Sequence, residues 1–240
     1  MNGGHGGTMQ RIEAVIFDKD GTLFDFRATW EGWTGAVITE LSAGDDTLAG
    51  RLGDAIGYNP ASGFSADSPV IAETAEIIAR RLAAALPDTD AAELAIWLDE
   101  RAAAASMREA VPLRPLLGGL GAAGLRLGVA TNDAEAAARA HLASAGVLDL
   151  FALLSGYDSG HRPKPAPDML LAFARHCGID AGRIAMVGDS AHDLVAARRA
   201  GMRAVAVLTG VAGPAELSPL ADHILPDIGH LPRLLGLAAG

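Results

Sequence analysis

The sequence predicts an α/β fold: a parallel, doubly wound sheet with an all-helical insertion after its first strand. Three observations carry that expectation. Short apolar runs repeatedly break into polar clusters, AVIF into DKDGT, GLRLGVA into TND, RIAMV into GDS and RAVAV into LTG. Helical patterns stand between the later runs and end at Gly146, Gly178 and Gly201. The stretch from Phe24 to Val111 is Ala-rich and helical in pattern, with no strand signal of its own.

The first run, after Glu13, has the length and apolar continuity of a buried strand. Strands that alternate with helices need right-handed crossovers, which lay the strands parallel. Ligands of such sheets bind beyond the carboxyl ends of the strands, so the polar clusters are expected along one edge. Within the insertion, TAEIIARRLAAAL and AAELAIWLDERAAAASMREA read as helices, and the loop GYNPASGFSADSP separates them from the first helical segment. Pro112 and Pro115 mark the exit. The expected organisation is a core of residues 9–23 and 112–240, an inserted helical unit of 24–111 and a flexible Gly-rich tail of 1–8.

Composition narrows the function classes. The 240 residues are half hydrophobic and a fifth charged, which is the balance of a globular chain. A net charge of -10 argues against a broad nucleic-acid surface, which needs clustered Lys and Arg. No apolar run approaches the ~18 residues of a membrane span, and the opening MNGGHGGTMQ lacks the pattern of a signal peptide. Met9 is a candidate natural start. The single cysteine, Cys177, suits a reducing compartment, so a cytoplasmic protein is expected, a monomer or homodimer. Of 19 basic residues only Lys19 and Lys164 are lysines, which suggests that a compact point charge is needed at one of them at least.

The polar clusters carry the chemistry. Asp18 and Asp20 are two residues apart, which in extended backbone points both side chains the same way. Two such carboxylates repel unless a cation or proton separates them. Mg2+ suits them, because it is held by one or two carboxylates, waters and phosphate oxygens. Asp18, ionised at neutral pH, can then attack phosphorus. Asp20 can protonate the departing alkoxide and later deprotonate water. Gly21 permits a tight turn, and Thr22 can fix the loop.

The later clusters each have two readings. Thr131, with Asn132 and Asp133, can cap the following helix or hold a phosphate at its start. Lys164, between prolines, can be a solvated lysine, or can neutralise phosphoryl oxygens together with Asp18. Ser190 and Asp193 can form a capping box. Asp189 is left over from that box and can complete a magnesium shell, with Asp193 behind it orienting Lys164 or a metal-bound water. Arg27 is a candidate contact for a substrate carboxylate. Trp30 and Trp33, at i, i+3 spacing, read as core side chains with a place at a pocket wall left open. Ser65, Asp67 and Ser68 are candidates for substrate selection by a closing loop. His192 is expected to face outward, and the other histidines to be surface or core residues.

In order and spacing these motifs resemble the haloacid dehalogenase-type phosphohydrolases over nearly the whole chain, from Ile12 to about Asp222. The first family signature is matched by Asp18, Asp20, Gly21 and Thr22, the second by Thr131 and the third by Lys164. The fourth is matched by Asp189 and Asp193. The resemblance implies a Rossmann-like core, an inserted helical cap and a magnesium-dependent hydrolase. Its nucleophile would be Asp18, acting on a small phosphorylated metabolite. It would use Asp18, Asp20 and Asp189 for the metal, and Thr131, Asn132 and Lys164 for the substrate.

Asp20 fits poorly with the dehalogenases of the family, which lack this second aspartate. Phe24 to Val111 contains neither lysine nor histidine, which counts against the phosphonate-cleaving and mutase branches. The remaining pattern looks most like the phosphoglycolate phosphatases. A sugar-phosphate or nucleotide phosphatase, a phospho-accepting receiver and a catalytically dead binding protein are the alternatives.

Overall fold

The structure, a computed structural model, describes residues 11–65 and 67–237. The tail of residues 1–8 and the start at Met9 lie outside the described residues. β1 (Ala14–Phe17) is buried at every position. The chain then runs through α1 (Phe26–Ser42), α2 (Asp46–Ala55), two-residue strands β2 (Tyr58–Asn59) and β3 (Gly63–Phe64), α3 (Ala75–Ala83) and α4 (Ala91–Ala103). It returns through α5 (Leu113–Ala122), β4 (Arg126–Ala130), α6 (Glu135–Ser144), β5 (Leu153–Ser155) and α7 (Asp168–Cys177). It ends with β6 (Ile184–Gly188), α8 (Ala191–Ala200), β7 (Arg203–Val207), α9 (Pro214–Leu217), β8 (His223–Leu225) and α10 (Leu231–Leu234).

Six strands form one sheet in the order β5-β4-β1-β6-β7-β8, and all five pairings are parallel. β1 lies between β4 and β6, so the chain crosses to one side of it and later to the other. A crevice opens where the connections diverge in this way, at the carboxyl ends of the strands. Side chains alternate across the sheet. Val15 and Phe17 join Leu127, Val129 and Val187 under α5, α6 and α10, while Ala14 and Ile16 join Met186, Leu170 and Leu194 under α7 and α8. Both faces are therefore covered, as a parallel sheet requires.

Beyond the sequence-predicted strands are two that were not expected, β5 and β8, each of three residues at an edge of the sheet. A strand that short has no room for a readable period.

The insertion keeps an apolar core of its own, including Val37, Ile38, Leu52, Leu82 and Leu98. It leaves and rejoins the sheet domain through paired backbone. The Asp25 N–H donates to the Arg108 carbonyl at 2.8 Å, and the Ala110 N–H to the Leu23 carbonyl at 2.9 Å. Asp25 also starts α1, its carboxylate accepting from the Ala28 N–H at 2.9 Å.

The insertion is not all-helical, contrary to expectation. Tyr58 and Asn59 pair antiparallel with Phe64 and Gly63, inside the segment expected as loop. Asn59 turns the chain by accepting from the Ala61 N–H at 2.8 Å, and Gly63 supplies a φ of +76°.

Packing between β4 and α7 is tight enough to test. A Cβ added at Gly128 would lie 2.4 Å from the Phe173 ring. Gly128→Ala is therefore expected to lower unfolding free energy by about 1–3 kcal/mol in urea titration. A change within about 0.5 kcal/mol, the usual size for an inert surface site, would contradict this packing.

Candidate active site

Three strands deliver three polar side chains to one edge. Asp18 follows β1, Thr131 follows β4 and Asp189 follows β6. Lys164 comes from the loop after β5, and Asp193 from the first turn of α8. The Lys164 Nζ lies 2.7 Å from Asp18 Oδ1 and 2.6 Å from Asp193 Oδ1, and the lysine is only 4% exposed. It is thus a buried, paired ammonium and not a solvated one. Burial opposes its charge, yet Asp18 and Asp193 hold its pKa above the usual lysine value.

The second oxygen of Asp193 accepts from both the N–H and the Oγ of Ser190, at 3.1 and 2.7 Å. One carboxylate thus caps α8 and aims Lys164 at once. Asn132 fixes the other side of the lysine loop. Its Nδ2 donates to the carbonyls of Lys164 and Ala72 at 2.9 and 2.8 Å, and its Oδ1 accepts from the Lys164 N–H at 2.9 Å. Both amide protons of Asn132 are committed, so it positions Lys164 and bridges to the insertion and has no proton free for a substrate oxygen.

Thr131 is buried, and its Oγ1 accepts from the Asp133 N–H at 3.1 Å. It does not cap α6, whose cap position is Ala134.

Asp189 is 1% exposed. One of its oxygens lies 3.5 Å from the Thr22 hydroxyl, and the other is buried with no partner. A Cβ on Gly21 or Gly210 would collide with this carboxylate, so both glycines are needed for the close approach, and Gly21 also has a φ of +74°. Oxygens from Asp18, Asp189 and Asp193 all lie within 4.8 Å of one another. Burial, followed by the charges of Asp18 and Asp193, pushes the Asp189 pKa well above the carboxylate range. Burial, with Asp193 next, pushes Asp18 up to about 7. An orphaned oxygen within an acidic trio is a fitting place for a divalent cation.

Asp20 lies elsewhere than expected. Its carboxylate does not join the acidic trio but takes a bond from the Trp30 indole at 2.7 Å and pairs with Lys19 Nζ at 2.6 Å. Burial raises its pKa to about 6, against the opposing charge of Lys19. That value suits a group which must both give and take a proton near neutrality.

Lys19 is the site residue whose setting the sequence did not disclose. It is fully buried and also pairs with Asp133 at 2.9 Å and contacts His141 Nδ1 at 3.1 Å. Burial opposes the charges of both partners, but their attraction holds Lys19 above and Asp133 below their usual pKa values. Burial, then Lys19, lowers His141 to about 4, so the ring is neutral and accepts from Lys19 through Nδ1. Its Nε2 then donates to the Ala102 carbonyl at the end of α4, at 2.7 Å.

The hollow above these groups measures about 700 Å³ including its mouth, with Asp18, Asp20, Thr131, Asn132 and Lys164 on its floor. Trp30 and Trp33 both line its wall, and so does His192, which faces inward and contacts the Ala72 carbonyl at 3.2 Å. Arg27 is not brought there. It pairs with Glu31 one turn along the exposed face of α1, at 3.0 Å. Nor do Ser65 and Ser68 line the hollow, for their hydroxyls bond the carbonyls of Gly57 and Ile56. The residues just after them, Val70 to Glu73, line it instead.

The family model of haloacid dehalogenase-like hydrolases matches residues 12–201. The chain belongs to the haloacid dehalogenase-like hydrolase family. It is 33% identical to the phosphoglycolate phosphatase of Rhodospirillum rubrum, over 93% of this chain and 91% of that protein. This places it in the phosphoglycolate phosphatase-like branch, among phosphatases. A probable phosphatase IndB of Dickeya dadantii is 39% identical over 104 residues, 43% of this chain and 45% of that one, so this match spans under half of either. The solved structure of CbbY from Rhodobacter sphaeroides, in complex with phosphate, shares the fold. Its TM-score is 0.70 at 22% identity, over 92% of this chain and 96% of that one. No described helix of this hydrolase is long and apolar enough to cross a membrane.

Lys19 offers a direct test of the buried network. Lys19→Met leaves Asp20 and Asp133 without their shared cation, and a loss of about 3–5 kcal/mol in unfolding free energy is expected. Adding Asp133→Asn should recover part of that loss in a double-mutant cycle. Strict additivity of the two changes would show that the pair does not interact.

Proposed function

We propose that this phosphatase is a magnesium-dependent phosphomonoester hydrolase that acts on a small organic phosphate through a phospho-Asp18 intermediate, in the manner of the phosphoglycolate phosphatases. What carries the reading is Asp18 on the floor of the hollow, with the Lys164 ammonium at 2.7 Å and the unpartnered carboxylate of Asp189 offering an oxygen within 4.8 Å of it. Asp18, Asp189 and Asp193 are the carboxylates able to face a magnesium ion. When bound, such an ion supplies positive charge against the phosphate oxygens and relieves the carboxylates' mutual repulsion.

The remaining chemistry belongs to the side chains. Lys164 orients Asp18 and neutralises the transferring phosphoryl group, while Asn132 and Asp193 fix Lys164. Thr131 stands at the pocket floor to bind a phosphoryl oxygen. In the first step an Asp18 oxygen bonds to phosphorus, the ester P–O bond breaks, and the proton of Asp20 goes to the leaving alkoxide. In the second, Asp20 takes a proton from water as that water attacks the aspartyl phosphate, releasing inorganic phosphate and restoring Asp18. Residues 24–111 are taken as the cap over a core of 9–23 and 112–240. A cytoplasmic setting is in keeping with the single free cysteine.

With p-nitrophenyl phosphate, sustained turnover that depends on Mg2+ is expected, and Asp18→Asn should abolish it while leaving the circular dichroism spectrum unchanged. A receiver or a dead binder would give no sustained turnover in the parent protein. Asp20→Asn should slow alkyl phosphates by about 10²–10⁴-fold. The first-turnover release of p-nitrophenolate should survive in that variant, since this leaving group needs no proton. Equal losses on both esters would remove Asp20 from the acid role.

A further inference from the structure

The wall facing the catalytic floor has a chemistry that the floor does not. It is built from Trp33, Val70, Ile71, Ile78 and Leu98, and its acidic members are Glu73 and Asp99. Among the described residues that line the hollow there is no arginine, and Lys164 is the only lysine. Lys164 is already held between Asp18 and Asp193.

The indole donors of the wall are committed elsewhere. The Trp30 indole N–H donates to Asp20, and the Trp33 indole N–H to the Arg101 carbonyl at 3.3 Å. Both indoles therefore show apolar surface to the hollow. The Tyr157 hydroxyl holds Asp99 at 2.8 Å. His192 donates through Nδ1 to the Ala72 carbonyl, which ties its ring to the insertion. Arg27, the cation closest in sequence to the catalytic loop, is on the exposed face with Glu31.

We infer that the ester this pocket selects carries an apolar, uncharged alcohol, aromatic or branched alkyl, and that a second anionic group on the leaving side, such as the carboxylate of glycolate, is selected against. The inference rests on the phosphatase reading for the orientation of the ester, phosphate to the floor and alcohol to the wall. An apolar group is favoured there because it leaves water for a wall of indole and aliphatic surface. A carboxylate in the same place would be stripped of water, meet no arginine or uncommitted lysine and face Glu73 and Asp99.

Two non-hydrolysable phosphonates separate the cases without turnover, 3-phenylpropylphosphonate and 3-phosphonopropionate, the methylene analogues of 2-phenylethyl phosphate and 2-phosphoglycolate. In calorimetric titrations of the full chain with Mg2+, the phenyl compound should bind on the order of tenfold more tightly, or better. In kinetics, 2-phenylethyl phosphate should exceed 2-phosphoglycolate in kcat/KM by a similar factor, with glycerol phosphate between them as the uncharged polar control. Ile78→Arg places a cation in the wall and should narrow or reverse the order in both measurements.

Equal or tighter binding of the carboxylate compound by the parent protein overturns the inference. So does binding of neither compound while p-nitrophenyl phosphate is hydrolysed. Failure to hydrolyse any ester would sink the phosphatase reading alone, since the order of the two phosphonate affinities still decides the question of class.

Discussion

Five carboxylates, those of Asp18, Asp20, Asp133, Asp189 and Asp193, crowd the carboxyl edge of one sheet, and two buried ammonium groups stand among them. Lys164 serves Asp18 and Asp193, and Lys19 serves Asp20 and Asp133. That leaves an excess of negative charge in a place with little water, precisely where a phosphate ester would have to arrive as a further anion. Such crowding is sustained only by protons or by a cation. The upward pKa shifts of Asp18, Asp20 and Asp189 are the proton side of this constraint, and the orphaned Asp189 oxygen is its cation side.

The two lysines divide the labour by geometry. Lys164 is reached from the loop after β5 and clamped by Asn132, which also holds the Ala72 carbonyl of the insertion. Lys19 sits on the other side of Asp18 and touches the insertion indirectly, through Trp30 on Asp20 and through His141 on Ala102. Asp18 and Asp20 are thus each tied to a lysine, and each lysine cluster is tied to the insertion. The position of the insertion and the charge state of the floor are parts of one network.

Much of this was legible in the sequence because it is local. AVIF followed by DKDGT sets a strand and its terminal carboxylates within a few residues, and the repeated strand–helix pattern brings the other clusters to the same edge. The scarcity of lysine drew attention to Lys19 and Lys164, but one acid that each meets, Asp133 for Lys19 and Asp18 for Lys164, comes from a distant part of the chain. The direction of the Asp20 side chain was not readable, because alternation in a strand says nothing once the chain turns at Gly21. His192 was read as a surface residue for a similar reason, whereas Trp30 is the core residue that was expected, at the pocket wall that was left open for it. Helical periodicity tells which face a residue occupies but not which other elements fold over that face. The β2–β3 hairpin, with two-residue strands, is too short to show a period at all.

The claim on which the account depends is that Asp18 carries the phosphoryl group. Rapid acid quenching of the working enzyme, followed by mass spectrometry of its peptides, tests this most directly. The account predicts one added phosphoryl group on the peptide containing Asp18, present only during turnover and lost on treatment with hydroxylamine. A phosphoryl group on another residue, or turnover with an unmodified Asp18 peptide at every quench time, would contradict it.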